Sequence, residues 1–219
     1  MRWPRLLGLL ALAPLVAIAA PAREASLDVD IAAYRRAAAG RLGALTGRAY
    51  ETGAKSTAAD RPLPGTVVTL LPRSETFLRT LDEIKRGARA SITAYRDAAA
   101  AVRRAREAYE RVLWAEGALD LVRSTDVAAD GAFAVRDLPS GQWVLIGVRS
   151  LFVDKPARRP TPRESQTYAT PPRVIGHGTV HVWLLEVQVT GGRTEAVELT
   201  DRNAWLTGIV EEREPDANR

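Results

Sequence analysis

The sequence predicts a mainly β protein: an antiparallel, Greek-key-like β-sandwich of seven or eight strands, carrying a long inserted α-helical hairpin and a short N-terminal helix. Three observations carry this. Short apolar runs are punctuated by tight-turn residues at Asp130-Gly131, Pro139-Ser140-Gly141 and Gly191-Gly192, which is how hairpins are written. Between them lies a proline-free, alanine-rich stretch from Ser74 to Glu116 with helical periodicity. The 219 residues suffice for one core and an insertion, so one domain is the economical division.

The chain opens with Arg2 and Arg5, an apolar run from Leu6 to Ala20, and small residues at Ala17-Ile18-Ala19 and Ala20-Pro21-Ala22. A basic start, an apolar middle and an A-x-A end predict a secretory signal peptide over 1–22, cleaved between Ala19 and Ala22. The apolar run is short of the ~20 residues that span a bilayer, so no membrane span is expected after cleavage. There is no cysteine, hence no disulfide and no acylated anchor. The expected location is outside the cytoplasm, periplasmic or secreted. The leader takes two arginines from a formal charge of +5. What remains is weak and dispersed, which argues against nucleic acid as a partner.

Residues 23–43 are expected to form a linker and a helix over Ser26–Ala39, from the spacing of Leu27, Ile31, Tyr34 and Ala38, ended by Gly40. The sandwich is expected over 44–213. Its strands are read at Ala44–Glu51, Pro64–Pro72, Leu119–Val127, Ala132–Asp137, Gln142–Phe152, Gly178–Val189, Thr194–Leu199 and Trp205–Val210. The insertion, 74–117, repeats Phe77, Leu81, Ile84, Ala88, Ser91, Tyr95, Ala98, Val102, Ala105, Tyr109 and Val112, alternating steps of four and three. A single helix would carry the chain about 65 Å away from the next strand, so a hairpin is expected. Asp97, a good N-cap that divides the arms evenly, is the preferred turn, ahead of Gly87. A basic, proline-rich loop spans 154–173, and 214–219 reads as a disordered tail.

The segment from Thr125 to Leu145, with its Asp130-Gly131 turn, Phe133-Ala134-Val135 strand, Leu138-Pro139-Ser140-Gly141 corner and Trp143, resembles the signature of carboxypeptidase regulatory-like domains. Leu45-Thr46-Gly47-Arg48-Ala49 and Pro62-Leu63-Pro64-Gly65-Thr66-Val67-Val68 are similar to that family's opening strands. The matches cover about a third of the chain, and they are structural motifs. The resemblance implies a transthyretin-like, or prealbumin-like, sandwich acting as a non-catalytic accessory module. The helical insertion and the basic loop depart from that pattern.

Residues with chemical potential are few. His177 and His181 are the only histidines, and with Tyr168 they are the candidate metal ligands. Four residues along a strand span about 13 Å, however, so a shared ion needs a bulge between the histidines. Asp126, Asp130, Asp137 and Asp201 suggest calcium less than turn chemistry. Trp143, Trp183 and Trp205 are candidates for stacking on a sugar, against the plainer expectation that they fill the core. Lys155, Arg158, Arg159, Arg163 and Arg173 are candidates for contact with an anionic polymer. Arg103 with Glu107, Arg106 with Glu110, and Glu107 with Arg111 read as a solvated ion-paired face. Hydrolase, zinc-protease and phosphate-loop motifs are absent from the sequence, and no cofactor is expected.

These residues favour an exported, non-enzymatic module, monomeric or weakly associating. It is expected to contact a protein or a cell-envelope polymer through a projecting hairpin and the basic loop. The alternatives are a carbohydrate-binding module and a metal-dependent enzyme with a His/Tyr site.

Overall fold

The computed structural model describes residues 28–53, 59–154 and 174–213, with 153–154, 174–177 and 209–213 described by their backbone. The predicted leader, most of the basic loop and the tail lie outside the described residues.

Two β-sheets and a helical layer stack on one another. The first sheet is built on β1 (Gly43–Glu51), which pairs along one edge with β8 (Thr194–Thr200). Its other edge pairs in succession with β5 (Ala132–Leu138) and the two-residue β2 (Arg61–Pro62). The second sheet has the order β4-β3-β6-β7-β9, from β3 (Val67–Pro72), β4 (Arg123–Asp126), β6 (Gly141–Asp154), β7 (Val174–Val189) and β9 (Leu206–Arg213). The sandwich is therefore as expected. Among the described residues every pairing is antiparallel except β1 with β8, which is parallel.

The turn residues do what their chemistry dictates. Asp130 Oδ1 accepts the Ala132 amide at 2.9 Å, and Gly131 takes φ 85°, a left-handed conformation that glycine adopts without steric cost. The strand expected from Leu119 begins later. Leu119–Leu121 is a 3-10 turn that buries Leu121 before β4 starts.

The N-terminal helix is shorter than expected. α1 runs Ile31–Ala38, because Asp30 caps it by accepting the Ala33 amide at 2.9 Å. Its Tyr34 is buried, donates to the Gln142 carbonyl, and meets the Trp143 ring edge-on at 5.2 Å.

The insertion is a hairpin of unequal arms: α2 (Glu75–Gly87) and α3 (Ile92–Ala115). The turn lies at 88–91, not at Asp97, which sits inside α3. Ser91 supplies the cap by accepting the Ala94 amide at 3.0 Å. α3 ends in a Schellman turn: Gly117 at φ 65° donates to Trp114 O and Ala118 to Leu113 O.

The hairpin does not project. It lies on the outer face of the second sheet, burying Phe77, Leu81, Ala98, Val102, Tyr109 and Leu113. Leu113 replaces the expected Val112 because a straight 3.6-residue helix drifts from a strict heptad seam. Phe77 stacks on Tyr109 at 4.6 Å, and Tyr109 donates to the Pro72 carbonyl at 2.9 Å. The second sheet is thus covered on both faces. That is why Val68 to Leu71 and Trp143 to Ile146 are buried as continuous runs rather than in alternation.

Candidate functional site

Two of the three candidate tryptophans are core residues. Trp143 is wholly inaccessible and donates Nε1–H to the Pro139 carbonyl at 3.1 Å; Trp183 is 1 % exposed and donates to the Thr200 carbonyl at 2.7 Å. Neither presents a face to a sugar. Trp205 is partly buried, with the Lys85 ammonium 4.9 Å from its ring centroid, a cation–π seat that occupies the ring. A flat tryptophan platform is therefore not assembled from these three. Among the described residues the exposed tryptophan is Trp114 near the end of α3, 68 % accessible, which the sequence reading passed over.

His177 and His181 lie on β7, whose register with β6 is unbroken from Gly176 to Val189. The shift in register with β9 falls between Val174 and Gly176, outside the interval separating the histidines. They therefore stand about 13 Å apart along the strand, too far to share one ion. The His181 ring sits 6.0 Å from that of Trp183. Tyr168, Lys155, Arg158, Arg159, Arg163 and Arg173 lie outside the described residues. Among the aspartates, Asp130 makes its turn and Asp201 Oδ1 accepts from both the amide and the hydroxyl of Thr52 at 2.8 Å. Those two bonds hold the Asp201 carboxyl below its ordinary value.

The feature that the sequence reading missed is a cavity of about 550 Å³ between α3 and the outer face of the second sheet. Its floor is Ile146, Val148, Ser150 and Phe152 of β6 with Gly178, Val180 and Val182 of β7. α3 roofs it with Ala99, Ala100 and Val102 and adds Arg103 and Arg106 to its wall. The cause is side-chain size. α3 is seated closely on β9, where a Cβ on Gly208 would lie 3.0 Å from that of Ala99. Farther across the sheet, the alanines of the Ala98–Ala101 run face Gly178 and short valines, and among the described residues nothing bulky fills the gap. The volume lies within the ~300–1,000 Å³ of small-molecule sites.

Arg106 is the polar group of interest. Its side chain is 23 % exposed, and its Nε lies 3.2 Å from Glu110 Oε1, yet that N–H is not aimed at the oxygen and has no acceptor. Arg103 stays in solvent, 69 % exposed, and its Nε is 3.9 Å from Glu107. A second unpartnered Nε, that of Arg149, lies elsewhere on β6, where burial first and the Arg61 charge second lower its pKa. Among the described residues no cluster of histidine and carboxylate side chains is arranged to hold a metal. No described helix is long and apolar enough to cross a membrane.

No protein-family model and no curated protein matches the chain. Solved structures resemble it at a distance. A Pseudomonas aeruginosa protein to which carbohydrate binding has been ascribed aligns over 73% of this chain and 88% of its own, at 15% identity and TM-score 0.34. The minor pilin of Streptococcus agalactiae aligns over 82% of this chain and 48% of its own, at 10% identity and TM-score 0.32. The pilus backbone protein of Streptococcus pneumoniae aligns over 73% and 40%, at 12% identity and TM-score 0.28. The chain spans less than half of either pilin. At these scores the likenesses assign neither family nor function.

Proposed function

We propose that this chain is a non-catalytic binding module of the cell exterior, and that it takes a ligand with an apolar body into the cavity beneath α3. The cavity carries the proposal: it is roomy, mostly apolar, and framed by a sheet buried on its other side. Its lining supports binding over catalysis. Among the described residues Ser150 is the one nucleophile on it, with no histidine or carboxylate beside it, and arginine stays protonated and cannot act as its base. The basic, apolar and small-residue opening of the sequence supports export, and a cell-envelope component is the natural source of such a ligand. The basic loop remains a proposed second contact for an anionic polymer. The burial of Trp143 and Trp183 disfavours the sugar-binding reading, and the unbroken β7 disfavours the metal centre.

The test uses N-phenyl-1-naphthylamine, a neutral dye that fluoresces in apolar surroundings. Wild-type protein is expected to enhance its fluorescence saturably. Ser150→Trp, which places an indole in the cavity from an exposed strand position, is expected to abolish the enhancement with the thermal melt preserved. A wild-type protein that leaves the dye dark defeats the proposal.

A further inference from the structure

We infer that the ligand of the α3 cavity is an aliphatic monocarboxylate, its chain on the apolar floor and its head on the Arg106 guanidinium. This rests on the cavity being the binding site, as proposed above, and adds the chemical class that it selects.

The lining is asymmetric. Among the described residues the strands contribute Ile146, Val148, Val180 and Val182, with no charged group, whereas the helix contributes two cations, Arg103 and Arg106. Residues three apart lie on one helix face, so both guanidinium groups border the same wall. Among the described residues no carboxylate lines the cavity to cancel them.

Arg106 is incompletely satisfied. Its Nε–H is shielded from solvent and lacks an acceptor, while Glu110 stands close enough to pair by charge alone. A shielded donor without a partner is costly, and an oxygen anion arriving from the cavity side would relieve that cost. Guanidinium presents a planar fork of donors that fits a carboxylate through two parallel bonds. Arg103 is solvent-exposed and only loosely paired with Glu107, so it is free to add charge at the mouth.

Other chemistries fit less well. A sugar would leave most of its hydroxyl groups against valine and isoleucine, with Ser150 and the two arginines too few to answer them. A cationic amphiphile would meet two like charges. A neutral apolar molecule would fill the floor and leave Arg106 as it is.

Displacement of the naphthylamine dye from the full chain separates these cases, with laurate, 1-dodecanol and dodecyltrimethylammonium as competitors of one chain length. Laurate is expected to bind at least about ten-fold tighter than dodecanol, the scale of one charge-assisted hydrogen bond. Arg106→Gln is expected to remove that preference and leave dodecanol unchanged. Glu110→Gln, which frees Arg106 of its neighbour, is expected to tighten laurate several-fold.

Equal affinity for laurate and dodecanol, or a preference that survives Arg106→Gln, overturns the inference while dye binding keeps the cavity as a site. A dark dye overturns the cavity itself. Sedimentation with phosphatidylglycerol vesicles in the absence of laurate binding would assign the charge to a lipid surface and overturn the inference. So would a dimer that Ser150→Trp converts to monomer, since a second copy would then occupy the cavity.

Discussion

The two faces of the five-stranded sheet meet the rest of the protein in opposite ways. Toward the first sheet, Trp143, Leu145 and Trp183 close against Leu45 and Leu199. The fit there is so tight that a Cβ on Gly147 would lie 3.0 Å from Leu199 Cδ1. Toward the helices, Phe77, Leu81, Tyr109 and Leu113 pack one region fully, and the alanines of α3 leave the other open. The same backbone thus builds a close-packed core on one side and leaves a cavity on the other. Side-chain volume, not sheet geometry, makes the difference.

The sharpest way to break the comparison is on the closed face. Trp183→Ala removes a fully buried indole and strands the Thr200 carbonyl that it bonds. It is expected to cost about 3–5 kcal/mol in urea unfolding. A loss below 1 kcal/mol would mean that the inner face is no better packed than the outer.

A smaller effect is expected from overpacking the same layer. A Cβ at Gly47 would lie 2.2 Å from Phe133 Cζ and 2.8 Å from the Val197 carbonyl. The ring can turn but the backbone cannot, so Gly47→Ala is expected to lose about 1–3 kcal/mol. Adding the far larger indole of Ser150→Trp on the open face should leave the melt where it was. Equal losses from the two substitutions would erase the distinction between the faces.

The smallest effect lies at the edge of the helical layer. Asp28 Oδ2 accepts the Thr76 amide at 2.7 Å in the first turn of α2. Burial alone would raise its pKa, but the hydrogen bonds from Ser74 and Thr76 outweigh it and hold the carboxyl below its ordinary 3.8. A lowered folded-state pKa means stability that is present above the unfolded value and lost as the pH falls through the folded one. Wild-type stability should therefore drop more steeply than that of Asp28→Asn as the pH falls below about 3.8. Parallel curves from pH 5 to pH 2 would show that the contact contributes nothing.

Much of this architecture was legible in residues that act locally. Asp130-Gly131 made its turn, Gly191-Gly192 joined β7 to β8, and the absence of proline between Ser74 and Glu116 marked the helices. The hairpin turn was misplaced because Asp97 is an equally good cap in isolation. Ser91 prevailed because α2 ends at Gly87, with Ala88 buried just beyond it. The tryptophans were ambiguous for a related reason: an indole on a strand is written identically whether it faces a second sheet or solvent. One signal for the second covering layer was present in Val67-Val68-Thr69-Leu70-Leu71 and Trp143-Val144-Leu145-Ile146, which run without alternation as strands buried on both faces do.

By itself the sequence determined the tight turns at Asp130-Gly131 and Gly191-Gly192 and the β or α character of most segments, because these depend on dihedral preferences and hydrogen bonds among residues a few positions apart. Only the tertiary structure decided that the helical seam faces the sheet, that Trp143 and Trp183 are sealed, and that Arg106 borders a cavity. Those outcomes depend on which surfaces meet across distant parts of the chain, and on whether the side chains brought together there fill the space between them.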